Sequence, residues 1–240
     1  MPDMHGPTDE MKFRAQEIAN KTNWRVFMPD IYGKGKSSDD LDTARGLFED
    51  LDYTRTIEDM GWIAKKLRHW QPGSGVGTVG FSVGGAMALE ACAASEDIFD
   101  AVSFYGLPAK ESWDDLAWAL LKSQKPVHLQ FGIKDTVVSI DDARAFRETL
   151  KVNGTNHQYH EYALQGHSFM SSVQYRKQLQ QAISQNGTQT QDVAMLRAAH
   201  FLLHHTPRFN LDSVPDLEFW LNPYELAPND PLKTSEWKRY

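Results

Sequence analysis

Ser82, Asp135 and His167 are the residue types that nucleophilic catalysis at a carbonyl requires. A serine hydroxyl is a weak nucleophile until an imidazole removes its proton. That imidazole in turn needs a carboxylate to fix its tautomer and stabilise the imidazolium. Ser82 stands in Gly80-Phe81-Ser82-Val83-Gly84-Gly85, which fits the G-x-S-x-G pattern. There the nucleophile occupies a sharp strand-to-helix turn, and glycines on either side let strand and helix approach closely beneath it. The same segment is also compatible with an ordinary βα turn whose serine caps the helix. The downstream partners favour the catalytic reading. Asp135 lies in a loop just past an apolar run at 126–131, and His167 lies in a loop just past an alternating run at 157–162. In a parallel sheet both loops open at the C-terminal edge beside Ser82. Attack by Ser82 creates an oxyanion, for which the Val83 N–H is the expected first donor.

The elements that must position these side chains follow from periodicity. Helical spacing runs through 9–21, 57–70, 141–152 and 192–204, and a helix of small residues covers 84–94. Apolar runs at 24–28, 76–81, 101–105, 126–131 and 157–162 read as strands, with 33–42 as a loop and Pro72-Gly73-Ser74-Gly75 as a breaker. Helices alternating with short strands predict an α/β fold with a mostly parallel sheet flanked by helices. Arg45 reads as an exposed helix residue. The segment 113–121, with Trp113 and Trp118, reads either as a cap on the pocket or as ordinary helix packing. His128 reads as a satisfied core histidine within its strand. His200 and His204 share a helix face, but no third ligand is placed near them and no metal site is expected.

Composition sets the outer limits. The chain has 240 residues, 41% hydrophobic and 24% charged, which describes a folded globular domain. Lys plus Arg number 25 against 32 Asp plus Glu, a net charge of −7 without a basic run, so no nucleic-acid partner is expected. The single cysteine, Cys92, has no partner for an intrachain disulfide, and a reducing, cytoplasmic setting is expected. No stretch approaches the roughly 18 consecutive apolar residues of a membrane span. One domain is expected over 1–206. The stretch 207–240, rich in proline yet carrying Phe219, Trp220, Tyr224 and Trp237, reads as a tail packed on the body or on a partner, with a disordered tail as the alternative.

The motifs Gly80-Phe81-Ser82-Val83-Gly84-Gly85, Phe131-Gly132-Ile133-Lys134-Asp135, Gly166-His167-Ser168-Phe169 and Pro29-Asp30-Ile31-Tyr32-Gly33 together resemble the dienelactone hydrolase family, over about residues 1–203. The resemblance implies an α/β-hydrolase fold and hydrolysis of a small ester or lactone through an acyl-enzyme, without metal or organic cofactor. It places 1–6 in the loop that supplies the second oxyanion donor, Met4 N–H, with Asp3 and His5 beside the substrate. Asp3 stands where the family carries a glutamate that contacts the nucleophile. Two departures matter. Ser82 replaces the type enzyme's cysteine, and Ser171 stands where that enzyme has an arginine for its substrate carboxylate, so dienelactone itself is not the expected substrate. A catalytically silent binding or regulatory protein on the same fold is the competing reading, and acyl transfer to an alcohol a lesser one. The resemblance also implies that a strand should precede the loop at 1–6. The sequence therefore reads as lacking its first strands, with roughly 30 further residues expected before Met1.

Overall fold

The computed structural model describes residues 1–172, 176, 177 and 187–207. Four parallel strands, β1 (Val76–Phe81), β2 (Ile98–Phe104), β3 (Val127–Gly132) and β4 (His157–Tyr162), pair in the order β1-β2-β3-β4. Seven α-helices are described: α1 (Asp9–Thr22), α2 (Leu41–Glu49), α3 (Tyr53–Trp70), α4 (Val83–Ala94), α5 (Trp113–Lys122), α6 (Ile140–Asn153) and α7 (Gly187–His205). Helices α3 to α6 pack in succession over one face of the sheet, and α1 and α7 pack together on the other. This is the α/β-hydrolase architecture, with both sheet faces covered as a parallel sheet demands.

Side-chain alternation in β3 shows how one strand serves both faces. His128 and Gln130 turn toward α7, where His128 meets Phe201 and Gln130 Nε2 donates to Ala194 O at 3.1 Å. Val127, Leu129 and Phe131, which alternate with them along the strand, are fully buried and face the opposite side. On β2, Asp100 reaches Thr206 just beyond α7, while Ser103 lies against Gly85 of α4.

Local sequence explains the helix ends. Thr8, Asp40, Asp52 and Ser139 cap α1, α2, α3 and α6 through side-chain oxygens, and Asn23 and Gly154 close α1 and α6 in the left-handed region. Helix α3 buries Thr56, Met60 and Ala64, one residue per turn. Helix α4 is different: Gly84, Gly85, Ala86, Met87, Ala88, Leu89, Ala91 and Cys92 are all buried, so it has almost no solvent face. Its small residues let it fit between β1 and β2 beneath and α3 and α5 beside it.

Two expectations are corrected here. Residues 24–28 adopt no regular structure, and Val26 and Phe27 stand 39% and 43% exposed. Strand preference in such a run is realised only through ladder partners, and the sheet's order begins at β1. His128 is fully buried as expected, but both ring nitrogens lack hydrogen-bond partners, so it is not a satisfied histidine. Trp113 settles the choice for its segment. It is buried, donates through Nε1 to Pro108 O and packs on Phe146 of α6, which is helix packing. Residues 208–240, most of the expected tail, lie outside the described residues. No described helix is long and apolar enough to cross a membrane.

Candidate active site

The strand register brings the site together. Phe81 pairs with Phe104, Phe104 with Gln130 and Gly132 with Tyr162, so the four strands end almost level along one sheet edge. The residue after β1 is Ser82, the residue after β2 is Tyr105, and the loops after β3 and β4 carry Asp135 and His167.

Ser82 has φ 53° and ψ −122°, a conformation costly for any residue with a side chain. It is held there from both sides: its N–H donates to Phe104 O at 2.9 Å, and its carbonyl accepts from Gly85 N–H at 2.8 Å. The turn leaves no space for neighbouring side chains. A Cβ on Gly80 would lie 1.8 Å from Gly84 O, and one on Gly84 would lie 2.1 Å from Pro2 O. Although Ser82 stands at the N-cap of α4, its side chain makes no capping hydrogen bond. Its Oγ lies instead 2.9 Å from His167 Nε2.

The imidazole of His167 is buried and anchored at its other nitrogen, where Nδ1 lies 2.8 Å from Asp135 Oδ2. An ionised carboxylate only accepts, so Nδ1 carries the proton and Nε2 presents its lone pair to the Ser82 hydroxyl. The remaining Asp135 oxygen, Oδ1, accepts from Val137 N–H at 2.8 Å and Val138 N–H at 2.9 Å. Both carboxylate oxygens are therefore fixed. The arrangement is an unbroken hydrogen-bonded series from Asp135 through His167 to Ser82.

Residues 1–6 close over the start of α4. Met1 pairs with the outer edge of β1 through Val79 O and Phe81 N–H, and Pro2 O rests on Gly84. The Tyr32 hydroxyl donates to Met4 O at 2.8 Å, so the Pro29-Asp30-Ile31-Tyr32-Gly33 motif serves to hold this loop. Asp3 is buried, accepts from His5 N–H at 2.9 Å and lies within electrostatic reach of His167. Burial pushes its carboxyl above the usual range, and His5 draws it back in part. His5 is buried too and donates through Nδ1 to Ser38 O at 2.7 Å, which ties the loop to the entry of α2. Val83 is the first residue of α4, whose opening N–H groups have no partner within the helix. Met4 N–H likewise makes no backbone hydrogen bond among the described residues.

Tyr105 was not singled out by sequence. It has φ 44°, is fully buried, and stands edge-on to both His167 and Phe169, with ring centroids 5.1 and 5.2 Å apart. Ser168, directly after the histidine, has φ 56°. Backbone strain is thus concentrated at three of the loops that leave this sheet edge. The signal available in sequence was position alone, since Tyr105 directly follows an apolar strand.

Other candidates lie elsewhere. His200 and His204 stack on α7 with centroids 6.4 Å apart, and no cluster of three or more metal-ligating side chains occurs among the described residues. Arg45 is exposed on α2 and pairs with Asp42. A cleft of about 420 Å3, lined in part by Phe99, Lys125, Asn156 and His205, opens at the opposite end of the strands from Ser82. Lys125 there donates to Cys92 O at 2.9 Å and Ser95 O at 2.5 Å, closing the C-terminal end of α4.

Solved structures share this fold. A dienelactone hydrolase-like promiscuous phosphotriesterase from metagenomic libraries superposes with a TM-score of 0.64 at 21% identity, covering 84% of each chain. An esterase from Pyrococcus furiosus superposes with a TM-score of 0.58 at 16% identity, covering 82% of this chain and 76% of that one. A search of curated proteins gives no match. The sequence itself matches the dienelactone hydrolase family from residue 1 to residue 204, a span that contains the whole Asp135–His167–Ser82 series, and the chain belongs to that family of ester and lactone hydrolases.

Proposed function

We propose that the protein hydrolyses a small carboxylic ester or lactone through an acyl-serine intermediate. The observation that carries this reading is the Ser82 Oγ to His167 Nε2 contact of 2.9 Å, backed by Asp135 at 2.8 Å on the other ring nitrogen. Ser82 Oγ attacks the carbonyl carbon as His167 Nε2 takes its proton. The tetrahedral intermediate collapses, the bond to the alcohol oxygen breaks, and that oxygen takes the proton from His167. Water then attacks the acyl-Ser82 ester, giving one proton to His167. Cleavage releases the acid, and the proton returns to Ser82.

Asp135 keeps the tautomer and offsets the positive charge on His167 in both steps. Val83 N–H and Met4 N–H are assigned to the oxyanion, and Asp3 and His5 to the substrate-facing wall. No step calls for a metal or organic cofactor. The hydrolase unit is assigned to residues 1–206 and a tail to 207–240. Cys92, buried in α4 with its thiol pushed well above the ordinary range by burial, suits a reducing, cytoplasmic setting.

A fluorophosphonate probe tests the reading. Ser82 is expected to be labelled stoichiometrically, and Ser82→Ala to abolish both labelling and hydrolysis of a panel of short acyl esters and lactones. Failure of the wild-type chain to label, with no turnover across the panel, would overturn the assignment in favour of a silent binding protein.

A further inference from the structure

Arg176 is fully buried, and among the described residues its Nε, Nη1 and Nη2 all lack hydrogen-bond partners. A guanidinium offers five N–H donors and no acceptor, so an interior position without a partner is among the costliest placements a side chain can have. Its surroundings deepen the imbalance. Nη2 is packed on Gly187, the first residue of the nineteen-residue helix α7, and lies 2.8 Å from where a Cβ on that residue would stand. A helix start carries partial positive charge and unsatisfied N–H groups, and α7 has no acidic residue in its first turn.

Other polar groups close by are also without partners. Tyr105 Oη is within electrostatic reach of Arg176 and sits near the Ser171 hydroxyl, yet among the described residues neither Tyr105 Oη nor Ser171 Oγ has a hydrogen-bond partner within bonding geometry. Arg14, also buried, leaves its Nε unpartnered. The carboxylate that Arg176 feels is Glu10, and Glu10 Oε1 is already shared between Arg14 Nη2 at 3.3 Å and Ser172 N–H at 3.1 Å. Glu17 is likewise engaged by Arg14. Gln191 adds no acceptor for Arg176, since its Oε1 faces Arg14 Nη2 and its Nε2 donates to Phe169 O and Ser171 O. Guanidinium, two hydroxyls and a helix start therefore share one enclosed region with donors in excess of acceptors.

We propose that this region binds a small monovalent inorganic anion, chloride or one of similar size. Such an ion accepts from Arg176, Tyr105 Oη and Ser171 Oγ together and neutralises the charge set against the start of α7. The enclosure favours a small ion over a substrate substituent, because all the donor atoms named are inaccessible to solvent. The site lies behind the proposed catalytic base, one aromatic ring away from His167.

Thermal unfolding of the full chain at constant ionic strength tests this, with gluconate, chloride, nitrate and phosphate as the anions. Chloride and nitrate are expected to raise the midpoint by about 3 °C or more over gluconate. Arg176→Met and Arg176→Gln are expected to remove that difference, and Arg176→Met to melt above the wild type in gluconate because it removes an unpaired buried charge. The same anion dependence should persist in Ser82→Ala, which separates this site from the hydrolase reading. Equal midpoints in all four anions for the wild type, stabilisation by phosphate alone, or full retention of the chloride effect in either Arg176 variant would overturn the proposal.

Discussion

Asp135 grips His167 with one carboxylate oxygen while the other oxygen is held by two backbone N–H groups, those of Val137 and Val138. This asymmetry makes Asp135→Asn a sharper probe than alanine. In the asparagine variant the carbonyl oxygen stays with the two N–H donors, and the amide NH2 faces His167 Nδ1. The imidazole must then place its proton on Nε2 and lose its lone pair toward Ser82. A fall in kcat of about 10^3 to 10^4 is expected, with far-UV circular dichroism unchanged. A variant within tenfold of wild type would show that Asp135 does not set the tautomer.

Gly84→Ala should separate the loop at 1–6 from the rest of the site. A Cβ there would meet Pro2 O at 2.1 Å, so the loop carrying Met4 must move away from the start of α4. Overpacking of this kind costs about 1–3 kcal/mol. The expected kinetic result is a loss of kcat well beyond tenfold, with the fluorophosphonate still reacting at Ser82, because the proposed oxyanion donor is displaced while the proposed nucleophile and base remain. Unchanged kcat would remove Met4 from the oxyanion assignment.

Two buried groups pull stability in opposite directions with pH. Burial, aided by the charges of His160, Arg197 and His205, holds the His128 imidazole down at about 3 in the folded chain. Between about 3 and the ordinary value of 6.5 the unfolded chain binds a proton that the folded chain refuses, so stability falls as pH drops through that window. Asp100 behaves inversely. Burial raises its carboxyl to about 7, so from the ordinary 3.8 up to about 7 the folded chain holds the extra proton, and stability falls as pH rises. His128→Leu is therefore expected to gain more over wild type at pH 5 than at pH 8, by a difference on the order of a few kcal/mol. Asp100→Asn should show the reverse order. Urea unfolding at the two pH values reads both, and equal gains at both would mean that neither group titrates as its burial implies.

Lys125 supports α4, the helix that Ser82 opens, from its far end. Its ammonium donates to Cys92 O in the last turn of α4 and to the carbonyl of the C-cap residue Ser95. Hydrogen bonds from a charged donor to a helix C-terminus, partly buried, contribute about 1–3 kcal/mol. Lys125→Met should lower Tm by roughly 2–10 °C while leaving KM for short esters unaltered. An unchanged Tm would show that water replaces the ammonium without loss.

Much of this arrangement is legible in the amino-acid order. The turn at Ser82 is written in glycines at 80, 84 and 85, because close backbone at the first two and the Ser103 hydroxyl at the third exclude a Cβ. Asp135 and His167 could be placed because each follows an apolar run by a few residues, and parallel strands deliver such loops to one edge. What escaped the reading depends on partners distant in sequence. Residues 24–28 have strand-forming side chains, yet a strand exists only where a neighbour completes its ladder. His128 and Arg176 look unremarkable in their segments, and their unpaired nitrogens emerge only when α7 is laid across them. Tyr105 gains its place beside His167 from the level ending of β2 and β4, a matter of register.

Helix α4 has a last consequence. Because it is apolar and small on nearly every side, it has no surface that water would welcome and little to hold it before the sheet and its flanking helices are assembled. Ser82, at its N-cap, meets His167 only in the completed molecule. A chain caught partway through folding carries the serine without that contact. Recovery of hydrolysis after dilution from denaturant should lag behind the return of helical signal, which makes the enzyme's own turnover a clock for the final step of its assembly.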